Sequence, residues 1–325
     1  MKTYSQLLTE YQSITNNVQT SNQTFGAGVI NDSISTICNL QGGKLRFLES
    51  TTTMSTVASQ ETYQIPNKYR KLIDMYIYSG SGSSSDTIYA PEMVFDPVRW
   101  KRILQYRLGT GDVPYFTYVE NTSYKVQPVP ASTGNLIVLR GRLILKNLTI
   151  PDVTNITVAS IANQGTALVV SGSMTADMVG RCIQITETTA ANGGDGLWYE
   201  IASYTSSTQV TLTKPYEGTS IVAGTAASII GQVPIVPQAY QPAILYRAVA
   251  LYWQQQGELA RAKTYWMMYD GGMEAGYKDE YGGLIQQMID NEGETEEGAY
   301  IPPFGSTNPV MQAPYYYPFQ LASGF

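Results

Sequence analysis

The residues that could do chemistry are few and widely separated. Glu187 with Asp195, and Asp279 with Glu280, are carboxylate pairs of the kind a glycoside hydrolase uses, one as acid and one as base or nucleophile. Nothing in their spacing brings either pair to the required separation, and solvated surface carboxylates account for both. Trp198, Tyr199, Tyr204 and Tyr216 could form a stacking platform for a sugar. Strand alternation instead divides Tyr199 and Ile201 from Trp198 and Glu200, one pair in a core and the other on a half-buried face. The chain contains no histidine, so the commonest general base and zinc ligand are missing, and with them any Ser-His-Asp or Cys-His arrangement. There is no GxxxxGK[ST] loop, and the GSG at 80–82 lies in a Ser-rich loop without strand-to-helix context. The ANGGDG loop has one carboxylate, too few for calcium. Cys38 and Cys182 are far apart and form neither a disulfide framework nor a metal pattern. The expectation is a protein that is not an enzyme and holds no metal or other cofactor.

What remains is surface. Only 14% of the 325 residues are charged, against 25 tyrosines. Uncharged polar groups therefore keep the chain in solution, and tyrosine supplies broad amphipathic area of the kind used against protein neighbours. The net charge of −6 provides no global attraction for nucleic acid. Three short basic clusters (Lys68, Arg70 and Lys71; Arg99, Lys101 and Arg102; Arg140 and Arg142) read as solvated or interfacial faces. No apolar run opens the chain as a signal peptide would, and no window approaches 18 apolar residues, so a protein without a membrane span, made in a reducing cytoplasm, is expected.

The elements that would position these surfaces can be read from periodicity. Leu7, Leu8, Tyr11, Ile14 and Val18 form one helical stripe. Phe25, Val29, Ile30, Ile34, Ile37 and Cys38 form a second, ending at Gly42-Gly43, so two short helices are predicted. From Lys44 to Tyr78 the texture turns to strand, in KLRFLES, MSTVASQETYQIP and KLIDMYIYS. In FDPVRWKRILQYRLG, Asp96 is an N-cap and Pro97 a first helical residue, with Trp100, Ile103, Leu104 and Leu108 on the buried face. VPYFTYV, SYKVQPVP and NLIVLRGRLIL add three strands. Between Pro151 and Gln232 charges thin out and six short alternating runs follow (NITVASI, TALVVSG, VGRCIQIT, WYEIASYT, TQVTLTKPY and AASIIGQV), a pattern for a small antiparallel sandwich or barrel.

Helix returns in YQPAILYRAVALYWQQQGELARAKTYWMMYD, with Gly257 a candidate divider. Ile244, Ala248, Leu251, Tyr252, Gln255 and Leu259 make its main stripe, and Leu245, Val249 and Trp253 widen it enough to pack on two sides or against another subunit. The last 35 residues combine Pro, Gly and an acidic run with Tyr300, Phe304, Tyr315, Tyr316, Tyr317, Phe319 and Phe325. Such a segment does not fold alone, yet it is too aromatic for a solvated tail, so it reads as an arm that lies across a neighbour.

STVASQETYQIPNKYRKLIDMYI resembles a strand-turn-strand pattern of the head-to-tail connector (adaptor) proteins of tailed bacteriophages. MVFDPVRWKRI is similar to that family's short Trp-containing helix, and VPYFTYVENTSYKVQPVPASTGNLIVLRGRLILKNLT to its strands around a Pro-x-Pro turn. QVPIVPQAYQPAILYRAVALYWQQQGELARAKTYW resembles its closing helical hairpin. The segment 151–232 looks like a β module that many of these phage proteins carry as an insertion. The likeness runs in order from about residue 44 to 270; after Asp270 the glycines of DGGMEAGYKDEYGG interrupt a helix that continues in the family.

This resemblance implies an α+β fold with a discontinuous core of helices in a bundle and associated strands (1–150 and 233–290) and an inserted all-β module (151–232); the extended C-terminal arm (291–325) is read from composition and not from the family. It implies a structural virion protein, assembled in the host cytoplasm, that forms a ring, usually of twelve copies, in the neck below the portal protein. The ring would extend the channel through which double-stranded DNA passes without specific binding, and would meet tail proteins such as a nozzle, fibre or tail tube. Leu245, Val249 and Trp253 would then be a ring contact, and the aromatic arm would reach the portal or an adjacent copy. The competing reading is a receptor- or glycan-binding tail protein that uses the β module.

Overall fold

The structure, a computed structural model, describes residues 1–16, 20–83, 85–105, 110–111, 113–120, 122–186, 194–222, 226–272, 276 and 282–293. It is of the mixed α+β class. The chain opens with α1 (Tyr4–Thr15), whose N-cap Thr3 forms a reciprocal capping box with Gln6: Gln6 N donates to Thr3 Oγ1 at 3.2 Å, and Thr3 N to Gln6 Oε1 at 3.0 Å. Asn16 then turns left-handed (φ 50°) and ends the helix. The next helix, α2 (Thr20–Asn39), is 20 residues long rather than short. It closes through a 3₁₀ turn at Leu40–Gly42 and Gly43 at φ 75°, where the sequence places its stop.

Two sheets follow. In the first, β1 (Glu49–Ser55) and β3 (Tyr69–Tyr78) flank β10 (Leu136–Leu143), and β4 (Ile88–Tyr89) extends the edge; every pairing is antiparallel. The second joins β2 (Thr62–Gln64), β8 (Ser123–Gln127), β7 (Phe116–Val119) and β5 (Glu92–Val94), the last pair parallel. A two-residue pairing of β6 (Thr110–Gly111) with β9 (Val129–Pro130) completes this region. Met75, Ile77, Tyr124, Val126, Ile137 and Leu139 are fully buried in the cluster these sheets share.

Helix α3 (Pro97–Gln105) begins at Asp96, whose carboxylate accepts from Val98 N at 2.9 Å. Trp100 and Ile103 face inward, and Trp100 stacks on Tyr118 with centroids 5.5 Å apart. Leu104, expected on that face, is 41% exposed, because a nine-residue helix packed on β5 and β7 buries a narrower stripe than its apolar content suggests; Leu108 lies outside the described residues. KLRFLES also begins with a 3₁₀ turn (Arg46–Leu48) before β1.

Between Pro151 and Gln232 the six predicted runs all form strands: β11 (Thr157–Ser160), β12 (Ala167–Ser171), β13 (Cys182–Ile185), β14 (Trp198–Ser206), β15 (Gln209–Leu212) and β16 (Ala226–Gly231). They close into an antiparallel barrel of order β11-β12-β15-β14-β13-β16, which decides between sandwich and barrel. Closure pairs both edges of a sheet too small to be covered otherwise. Val158, Leu168, Ile183, Ile185, Val210 and Ile230 fill the inside.

After the barrel, α4 (Gln241–Gln255) and α5 (Leu259–Asp270) form a hairpin, turned by Gly257 at φ 77°. A further helix, α6 (Leu284–Glu292), was not anticipated, although Leu284, Ile285, Met288 and Ile289 in it carry a helical stripe. The hydrophobic cluster of α1 and α2 includes residues from α4, α5 and α6, so the chain returns to its first core after the barrel. At the tightest crossing, a Cβ on Gly26 of α2 would lie 2.5 Å from the Tyr11 ring of α1. Among the described residues no helix is long and apolar enough to cross a membrane.

Candidate functional site

The barrel is tied to the helices at residues 2–5. Thr3 Oγ1, besides capping α1, donates to Asp152 Oδ2 at 2.6 Å in the incoming stem of the barrel. Asp152 N donates to Ser5 Oγ at 3.0 Å, and Tyr4 N to the carbonyl of Gln232 in the outgoing stem at 2.8 Å. Gln232 reaches back across the stems: its Oε1 accepts from Thr149 N and Ile150 N at 2.7 and 2.9 Å. Lys2 N donates to Gln241 Oε1 at the start of α4. One turn of backbone thus meets both ends of the insertion and the returning helix.

Beside this junction a groove of about 770 Å³ opens to solvent. Its floor is the outward face of α2, with Thr24, Ala27, Gly28, Asn31, Asp32 and Ser35 at helical spacing. Tyr4, Ser5 and Leu8 of α1 form one wall. Asn147, Thr149 and Pro151 of the extended stem form the other. Asn31 fixes that wall by bonding both backbone groups of one residue: its Nδ2 donates to Leu148 O at 2.9 Å, and its Oδ1 accepts from Leu148 N at 2.8 Å. Asp32, the one charged residue among the described residues lining the groove, pairs with the buried Arg247 of α4 at 2.5 Å. The sequence reading did not single out this groove, because small residues on an outward helix face carry no periodic apolar signal.

The predicted ring-contact residues separate. Leu245 is 3% exposed and Val249 is fully buried within the subunit, because α4 packs on α1, α2 and α5 together. Trp253 remains half-buried at the surface, with the Arg261 guanidinium 4.6 Å over its ring and Leu259 62% exposed at the start of α5. Tyr300, Phe304, Tyr315, Tyr316, Tyr317, Phe319 and Phe325 lie outside the described residues.

Two of the barrel's four aromatic residues point inward, while Trp198 is half-buried and Tyr204 exposed. Tyr199 and Tyr216 are buried with ring centroids 5.5 Å apart, and the Tyr199 hydroxyl donates to Asp195 Oδ2 at 2.5 Å. Burial, with the Asp195 carboxylate beside it, pushes that hydroxyl up to about 12. Trp198 and Tyr204 stand about 20 Å apart along β14, too far for one sugar ring to touch both. Asp195 therefore has a structural partner, and Glu187, Asp279 and Glu280 lie outside the described residues. Burial also pushes the Cys38 and Cys182 thiols up, to about 12 and about 11. Several basic side chains have neighbours of their own: Arg140 pairs with Glu49, Arg99 with Glu92, and Arg70 donates to Asn39. Among the described residues no group of three or more His, Cys, Asp or Glu gathers as a metal site would.

A family model described as SU10 adaptor protein matches residues 2–170. The match takes in α1, α2, both sheets, α3 and the first two strands of the barrel. No curated protein gives a significant match.

Proposed function

The chain belongs to the SU10 adaptor protein family, and from that premise we propose that it forms a ring beneath the portal, extends the DNA channel and joins capsid to tail. Family membership makes it a phage adaptor, a structural component of the virion that associates with other phage structural proteins. The observation that carries the finer reading is the match over residues 2–170, which covers the helices α1 and α2 to which residues 233–293 return.

In this proposal neighbouring subunits, usually twelve, meet through the α4–α5 surface around Trp253 and Leu259, while Leu245 and Val249 stiffen α4 from inside. The barrel projects from its stems at residues 2–5 as a separate decoration. The aromatic arm leaves the subunit after Gly293 and docks on the portal or an adjacent copy. Removing residues 294–325 is expected to weaken capture of the portal protein at least about tenfold, the loss of roughly 1.4 kcal/mol of docking energy. The melting temperature of the truncated chain should stay within a few degrees, because the arm is proposed to act on a partner and not in the subunit core. A pull-down in which truncated and full chains retain the portal equally would remove the arm from the account.

A further inference from the structure

Two basic clusters that lie far apart in sequence, Lys68, Arg70 and Lys71 in one and Arg140 and Arg142 in the other, become neighbours in the fold. β3 and β10 pair with Lys71 opposite Arg142 and Tyr69 opposite Leu143, and Ile144 N donates to Lys68 O at 2.8 Å. The chain entering β1 runs alongside, with Glu49 across from Arg142, and Arg70 Nη1 donates to Asn39 Oδ1 at 3.0 Å. Residues 44–49, 68–71 and 140–146 thus meet at one end of the first sheet. They carry eight of the chain's 20 lysines and arginines and one of its 26 carboxylates, Glu49. Arg140 takes that carboxylate. Among the described residues no carboxylate pairs with Arg46, Lys68, Arg70, Lys71 or Lys146, and all five are exposed. A chain of net charge −6 therefore has one strongly positive end.

What lies between these cations is polar. Gln41, Thr51, Asn67 and Asn147 are exposed among them, and Ile144 is the one large apolar side chain exposed there among the described residues. Protein partners are held by aromatic and aliphatic anchors at the centre of a contact, where lysine is depleted. A phosphate backbone is held by Lys and Arg together with Ser, Thr, Asn and Gln. The third basic cluster shows the contrast. Around Arg99, Lys101 and Arg102 of α3, the side chains of Phe95, Val98 and Leu104 are exposed, and Arg99 is paired with Glu92.

We infer that the basic end of the first sheet binds the phosphate backbone of double-stranded DNA through Arg46, Lys68, Arg70, Lys71 and Lys146, weakly and without reading its sequence. Binding of this kind is driven by the release of counterions and leaves a duplex free to slide. The inference rests on the reading of the chain as an adaptor around DNA and adds which surface of the subunit meets the duplex. Its test reads binding, whereas the ring is read by imaging, so either can fail alone.

The full chain is titrated at about pH 7.5 into a fluorescein-labelled duplex of about 30 base pairs, in about 50 to about 200 mM NaCl, with anisotropy as the readout. About four phosphate contacts give a slope of log K against log[NaCl] of about −4, with equal affinity for AT-rich and GC-rich duplexes. Lys68→Ala, Lys71→Ala and Lys146→Ala combined should weaken binding in the lowest salt at least about tenfold and reduce the slope by about 2 to 3. Arginine at the same three positions should retain both affinity and slope. Lys101→Ala with Arg102→Ala on α3 should change neither. An equal loss from the α3 pair would overturn the inference, since no particular surface would then be responsible. Absence of binding in the lowest salt, or poly-glutamate competing as well as unlabelled duplex at equal charge, would overturn it too and leave the basic end to an acidic protein.

Discussion

Thr3 Oγ1 accepts from Gln6 N and donates to Asp152, so a single hydroxyl caps α1 and anchors the barrel stem. Thr3→Ala should cost about 1–3 kcal/mol in urea unfolding, a helix cap plus a bond to a carboxylate, whereas Thr3→Ser should keep most of it. An alanine variant as stable as the wild type would mean that the hydroxyl does neither job. Cys38, Cys182 and Tyr199 are among the groups that burial holds protonated. Burial raises Cys38 and Cys182 from 9.0 to about 12 and about 11, and burial with the Asp195 contact raises Tyr199 from 10.0 to about 12. Because the unfolded chain loses these protons first, their contribution is complete below about pH 9 and is lost as pH rises from there toward 12. Unfolding free energies measured from pH 7 to 11 should be level with respect to these groups up to about pH 9 and then decline; a rise above pH 9 would contradict the assignment.

At the scale of elements, the stems matter more than the barrel they carry. Asn31 and Gln232 each satisfy two backbone groups of residues 148–150, one pair from α2 and the other from the far stem. Asn31→Ala and Gln232→Ala should each cost about 1–3 kcal/mol and hasten proteolytic cleavage between residues 144 and 151, with the barrel itself left uncut. Cleavage inside the barrel first would contradict this. The barrel itself was legible in the sequence: its six runs alternate cleanly, because each strand has one face in the small interior. The groove and the junction were not, since Thr3, Asn31, Asp152 and Gln232 are polar residues that bond across 82 to 149 positions. Periodicity reports only what a residue does within its own element. Leu245 and Val249 show the complementary error. A helix face wider than one stripe signals more than one neighbour, and here α1, α2 and α5 of the same subunit supply them.

The whole molecule combines helices and sheets with a barrel that is joined to them by two short stems. A net charge of −6 gives the surface no general attraction for DNA, in keeping with a channel through which DNA must slide rather than bind. In the proposed ring the Trp253 and Leu259 surface would lie between copies and the barrels would face outward, where their closed edges cannot pair with one another. Electron-microscopic class averages of the purified virion neck, with the barrel marked by a bound antibody fragment, test this most directly. The expected image is a closed ring stacked against the portal, usually twelve-fold, with the marks on its outer rim. A three-fold particle at the tail tip, with the barrels at its far end, would contradict the adaptor ring and favour a receptor-binding protein.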